Sequence, residues 1–304
     1  MPYKEHTKHK KQKWNQKLNK RLWIWYAVVL YTGTACKKFI TVDPPKTQLV
    51  NSSVFETDQS AESAMIGIYS IMMESSTGPF SGGGSSIGPL CGMAADELKS
   101  YSTKPDPGQI YHNAISPSNT LINSVWAKTY QYIFAVNSAL EGMGYSNHLS
   151  EKVRNRLTGE AKFLRAFCYF YLVNLFDSIP LITTTDYLSN ASQVRSPRIK
   201  IDELIRQDLQ DAEQAFSESA DQAGAVRPGL SAVHFLQARY FLFQKDWTNA
   251  LKAANEVLNI PNYSLCPNLD QVFLKGSPEA IWHLMPVANG ATNWDGFHYI
   301  FSSS

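Results

Sequence analysis

The 304 residues are 44% hydrophobic and 18% charged, which supplies apolar side chains for a sizeable buried core and excludes a disordered chain. The formal net charge of +2 averages two unlike parts: Lys and Arg crowd the stretch from Lys4 to Arg21 against the single acid Glu5, and the remainder is acidic, so nothing points to nucleic acid. The four cysteines, Cys36, Cys91, Cys168 and Cys266, form no C-x-x-C pair and have no histidine at metal-ligand spacing, so neither a disulfide framework nor a metal site is expected.

The basic head leads into the apolar run Leu22 to Tyr31 and then into Gly33, Thr34, Ala35 and Cys36. That is the n-region, h-region and small-residue order of an export signal. An apolar run of about ten residues falls well short of the roughly 20 that a helix needs to cross a bilayer core, which disfavours a permanent transmembrane anchor. A cysteine directly after small residues resembles the lipobox of bacterial lipoproteins. It implies a signal over residues 1–35 and diacylation of Cys36, with a conventional cleaved signal or an over-long start as the alternatives. Two acyl chains anchor stably where one is marginal. Residues 36–56, interrupted by Pro44 and Pro45, read as a tether.

From Thr57 to Met73 the apolar positions Ala61, Ala64, Met65, Ile68 and Met72 keep helical spacing, with Thr57 or Asp58 as N-cap. Between Glu74 and Ser118, Gly82, Gly83, Gly84, Gly88, Pro89, Pro105, Pro107 and Pro117 break up any long element, and a connection of that length in a compact domain points to function. Helices are then predicted over Leu121–Met143, Glu151–Phe176, Ile201–Phe216, Ser231–Phe243 and Trp247–Leu258, the last two joined only by Gln244, Lys245 and Asp246. Tight antiparallel pairs with Ala238, Ala250 and Ala254 at close-packing positions resemble tetratricopeptide-type repeats. The fold class is therefore all-α, helix pairs with long irregular loops, over residues 57–304, with a strand-like piece near Ala280 to Pro286.

Few residues suggest chemistry. Gly84-Ser-Ser-Ile-Gly88 matches the nucleophile-elbow pattern, but no buried strand precedes Ser86 and Pro89 follows at once, so the serine reads as a loop residue. Asp96 and Glu97 are adjacent, whereas glycoside hydrolysis needs two carboxylates facing each other across the scissile bond; a structural or ligand-binding role fits better. No phosphate-binding glycine loop is present. No catalytic residue, metal or cofactor is expected. Tyr101, Tyr111, Trp294, Phe297 and Tyr299 lie in irregular segments beside Asn113, Asn293 and Asp295, and flat rings bordered by amides and carboxylates suit the apolar faces and hydroxyls of sugars.

Four segments together resemble the SusD/RagB family of outer-membrane nutrient-binding lipoproteins: Cys36 to Pro45; Ala61 to Tyr69; Glu160-Ala-Lys-Phe-Leu-Arg-Ala-Phe-Cys-Tyr-Phe-Tyr-Leu-Val-Asn-Leu-Phe176, followed by Asp177, Ile179, Pro180 and Leu181; and Ser231 through Ala238-Arg239 and Asp246-Trp247 to Leu251. The resemblance implies a lipid-anchored, surface-exposed protein of the outer membrane that binds oligosaccharide or another nutrient without catalysis. It further implies docking on a TonB-dependent, SusC-like transporter. Ligand positions are expected at Asp96, Tyr101, Asn113, Asn293, Trp294 and Tyr299. Family members continue well past the last residue here, so a C-terminally shortened form of the fold is expected. The alternative is a helical scaffold that contacts the transporter and binds no ligand.

Overall fold

The computed structural model describes residues 54–74, 76–217, 226–287 and 293–295. Cys36, the expected signal, most of the tether, Phe297 and Tyr299 lie outside the described residues. Nine α-helices make up the described chain: α1 Asp58–Met73, α2 Ile87–Ala94, α3 Pro105–Tyr111, α4 Thr120–Tyr145, α5 Glu151–Phe176, α6 Tyr187–Ala191, α7 Arg198–Phe216, α8 Leu230–Phe243 and α9 Trp247–Leu258. The described strands are two residues long, with Ile179 paired to Ser196 and Pro180 to Arg195 in antiparallel register.

Four of the long helices, α1, α4, α5 and α9, start at a side-chain cap, whereas α7 and α8 begin at Pro197 and Gly229 without one. Thr57 takes Ser60 N at 3.1 Å and Ser60 Oγ returns the bond to Thr57 N, a reciprocal capping box that satisfies backbone donors otherwise orphaned in the first turn. Asn119, Ser150 and Asp246 cap α4, α5 and α9 by accepting first-turn N–H groups on their side chains, without the return bond. The turn between α8 and α9 is closed by Lys245 at φ 60, a left-handed residue that lets the chain reverse within three positions.

Helix α5 is the centre of the architecture. It packs on α4 on one side and on α7 on the other, α1 lies across α4 and α5, and α8 joins α7 and α5 while carrying α9. Ala161, Leu164, Ala166, Cys168, Phe170, Leu172 and Val173 are buried almost around its circumference, which is why its hydrophobic pattern reads as a nearly continuous run. Gly159 sets the approach of α5 to α7, since a Cβ there would lie 2.7 Å from the Ala215 methyl. Two short helices, α2 and α3, occupy the stretch that composition alone reads as loop, and Tyr111, expected in an irregular segment, ends α3. Prolines Pro105, Pro107 and Pro89 sit within their first three positions, where a missing N–H costs no helical hydrogen bond. The expected strand near Ala280 to Pro286 reduces to a single bridge position at Trp282.

Charges inside this core are paired. Glu160, 1% exposed, accepts Tyr69 Oη at 2.8 Å, Arg156 Nη1 at 2.9 Å and Arg227 Nε at 2.9 Å, while both arginines also reach Glu62. Burial pushes the Glu160 carboxyl above its ordinary range, and the charge and hydrogen bonds of Arg227, with Tyr69 and Arg156, pull against it. The network joins α1, α5 and the segment entering α8. Among the described residues, no helix is long and apolar enough to cross a membrane.

Candidate functional site

The chain brings aromatic side chains from four distant segments to one cavity of about 450 Å³. Helix α5 contributes Phe163 and Phe167, the loop after α1 contributes Phe80, α8 contributes Phe235, and the late segment contributes Trp282. Trp282 stands edge-on to both α5 rings, with centroids 5.2 and 5.5 Å away at 90° and 87°. Phe80 meets Phe167 at 4.8 Å and Tyr171 at 5.3 Å. These edge-to-face contacts fix the wall, because each ring presents its positive edge to a neighbour's negative face.

Polar groups sit at defined places on this apolar wall. Arg239 donates through Nη1 to Tyr171 Oη at 2.9 Å and lies 5.6 Å from the ring centroids of Phe170 and Tyr171, so its guanidinium is held in place at the cavity. Glu279 is oriented by the backbone N–H of Cys266 at 2.6 Å. Trp282 Nε1 and His283 Nδ1 are shielded from solvent and meet no hydrogen-bonding partner among the described residues. The rim carries Asn293 and Asp295. Between them Trp294 donates its indole N–H to the Met73 carbonyl at 2.9 Å, which pins this short segment against the end of α1. Gly82, at φ 86, admits it: a Cβ there would collide with the Asp295 carboxylate.

The expected ligand residues therefore divide. Asn293 lines the cavity and Trp294 braces its rim. Asp96, Tyr101 and Asn113 line no part of it and lie on the α2–α3 side. Asp96 (φ 60) and Asn113 (φ 51) both occupy left-handed positions after a helix end. Glu97 N returns to Gly92 O and Ala114 N to Gln109 O, the six-residue closure of a Schellman motif. Asn113 Nδ2 also donates to Ala94 O at 3.1 Å, tying the end of α3 to the end of α2. Tyr101 is 84% exposed with Lys99 Nζ 5.1 Å from its ring centroid. Ser86, the serine of the elbow-like pattern, is a buried N-cap position whose hydroxyl donates to Gly83 O at 2.6 Å. The described residues hold no group of three or more His, Cys, Asp or Glu that could bind a metal.

Sequence reasoning missed Phe80, Phe235, Arg239 and Trp282 as parts of one wall. Phe163 and Phe167 carry the helical spacing of core residues, and core and cavity wall share that spacing.

A family model described as "Starch-binding associating with outer membrane" matches residues 40–242. SusD-like protein P25 of Formosa agariphila is 23% identical over 273 residues, which cover 86% of this chain and 51% of that protein. The starch-binding protein SusD of Bacteroides thetaiotaomicron is 26% identical over 198 residues, 62% of this chain and 34% of its own length. Among solved structures, a laminarin-binding SusD-like protein aligns with a TM-score of 0.63 at 24% identity over 72% of this chain and 48% of its own. NanU of Bacteroides fragilis aligns at 0.68 and 20% identity over 84% and 53%. The structural likenesses show the shared fold, and the chain spans about half the length, or less, of the curated relatives it matches.

Proposed function

The chain belongs to the SusD-like family, and from that premise we propose that it captures glycan at the surface of a Gram-negative outer membrane for a TonB-dependent, SusC-like transporter, without performing chemistry. The observation that carries this reading is the aromatic cavity. Its volume, about 450 Å³, lies within the roughly 300–1,000 Å³ usual for small-molecule sites. The partly open rings of Phe167, Phe235 and Trp282 supply apolar faces, and Arg239, Glu279, His283, Asn293 and Asp295 supply donors and acceptors of both kinds. A sugar ring has apolar C–H faces edged by hydroxyls that both donate and accept, so it matches a wall of this composition.

In this reading Tyr101 is a second, outer platform, exposed enough to stack on a sugar that extends along the surface. Asp96 and Asn113 shape the loop that carries it, and Trp294 holds Asn293 and Asp295 at the cavity rim. Lipidation of Cys36 provides the membrane attachment. The ligand class includes glucans such as starch and laminarin, which relatives bind by name.

Native affinity electrophoresis through gels containing starch, laminarin and unrelated glycans tests the proposal. Retardation in at least one glycan is expected. A folded chain that migrates freely in all of them favours the scaffold reading instead.

A further inference from the structure

A second concave site, about 320 Å³, lies between α7, α8 and α9 and shares no residue with the aromatic cavity. Helix α8 divides the two, since residues 235, 236 and 239 face the first and residues 234, 237, 240 and 241 face the second. This second site is a groove lined mainly by charged and polar side chains, with the Tyr240 and Phe241 rings among them.

Its polarity follows from the helix directions. Tyr240 Oη, near the end of α8, donates to Asp202 O near the start of α7 at 3.2 Å, and His234, at the start of α8, meets Glu213 near the end of α7 at 3.4 Å. The pair is antiparallel. The three-residue turn makes α8 and α9 antiparallel as well, so α7 and α9 run the same way. Arg206 on α7 and Lys252 on α9 consequently precede Glu213 and Glu256 in one common direction. The groove is cationic toward one end and anionic at the other. Seven residues separate Arg206 from Glu213, a span of about 10 Å along a helix.

The anionic end is preset. Gln237 Nε2 donates to Glu213 Oε2 at 2.7 Å and His234 Nε2 sits against Glu213 Oε1. His234 itself is only 8% exposed, and its Nδ1 has no hydrogen-bonding partner among the described residues. Arg206, Lys252 and Glu256 enter none of the ion pairs among the described residues. A neutral sugar can hydrogen-bond these groups but brings no counter-charge to any of the four charges, and a simple anion would meet Glu213 and Glu256.

We propose that this groove docks an extended polypeptide segment of a partner, with an acidic side chain at Arg206 and Lys252 and a basic side chain at Glu213 and Glu256. Extended chain rises about 3.3 Å per residue and alternates its side chains between two faces, so the two charges of the segment share one face at about four residues apart, with one further side chain on that face between them. The ring of Phe241 in the groove receives an apolar side chain between them.

Fluorescence anisotropy of the full chain with labelled Asp-Ala-Phe-Ala-Lys, Lys-Ala-Phe-Ala-Asp and neutral Asn-Ala-Phe-Ala-Gln peptides, each flanked by glycines, tests this. One charged order is expected to bind at least about tenfold more tightly than the neutral peptide, with affinity falling as salt rises. The exposed double variant Arg206→Glu with Lys252→Glu is expected to lose that preference at unchanged melting temperature. Failure of both charged orders to bind, equal binding of the neutral peptide, or full affinity in the double variant overturns the proposal. Glycan binding is read separately, so failure of either proposal leaves the other standing.

Discussion

Arg165 on α5 grips Asp208 on α7 with two parallel hydrogen bonds, Nε to Oδ2 at 2.7 Å and Nη2 to Oδ1 at 2.8 Å, where both residues are buried. The same guanidinium donates to Asn137 Oδ1 at 3.0 Å, and Asn137 donates in turn to the Ile182 carbonyl. One side chain thus ties α4, α5, α7 and the segment that follows Pro180. Burial works against the guanidinium, but the hydrogen bonds and charge of Asp208 hold it above its ordinary range. Asp208→Ala leaves a buried cation without its partner and is expected to cost about 3–5 kcal/mol, whereas Arg165→Met with Asp208→Leu together costs far less. Urea denaturation of the two variants checks this; equal losses would contradict it.

Asp58 accepts both the backbone N–H of Ser150 at 2.9 Å and its hydroxyl at 2.7 Å, which fastens the start of α1 to the cap of α5. These bonds hold its carboxyl below the ordinary 3.8. A depressed folded value means that the stabilisation is fully present above 3.8 and is lost as pH falls through the lower folded value. Asp58→Asn is expected to flatten the acid arm of the stability profile below pH 3.8. An acid arm identical to the parent's would rule the contact out as a contributor.

Gly159 lies where α5 approaches α7 most closely. Gly159→Ala adds intrinsic helix propensity of about 1 kcal/mol but places a methyl 2.7 Å from Ala215 and 3.3 Å from the Phe216 ring. Overpacking of this kind costs about 1–3 kcal/mol, so a lowered melting temperature is expected. A raised one would show that propensity wins.

If Cys36 is acylated as proposed, Cys36→Ser moves the protein from the membrane to the soluble fraction on cell fractionation. Unchanged membrane retention would remove the lipid anchor from the account.

The helices were legible because their signals are local. Thr57 announces the start of α1, and the span Glu151–Phe176 falls where its periodicity puts it. Helices α2 and α3 were not legible, since glycine and proline inside Ile87–Ala94 and Pro105–Tyr111 suppress the local signal that tertiary packing then overrides. Asp96 and Asn113 looked like polar loop residues suited to a ligand, and the structure uses both as left-handed helix terminators, a role to which Asn and Asp are suited. The cavity wall depends on residues 80, 163, 235 and 282 meeting in space, which no periodicity encodes. Glu160, Arg165 and Asp208 belong to the same class, because only the packing of three helices reveals that charges on an apparently polar stripe are internal.

The aromatic cavity as a glycan site is tested most directly by isothermal titration of an oligosaccharide from the retarding glycan into the parent chain, with Trp282→Ala, the rim variant Asn293→Ala and Tyr101→Ala beside it. The account predicts saturable binding by the parent, at least about tenfold weaker in Trp282→Ala and weakened in Asn293→Ala at unchanged melting temperature, with a smaller loss in Tyr101→Ala. Absence of heat from a folded parent, or full affinity in both cavity variants, would contradict it.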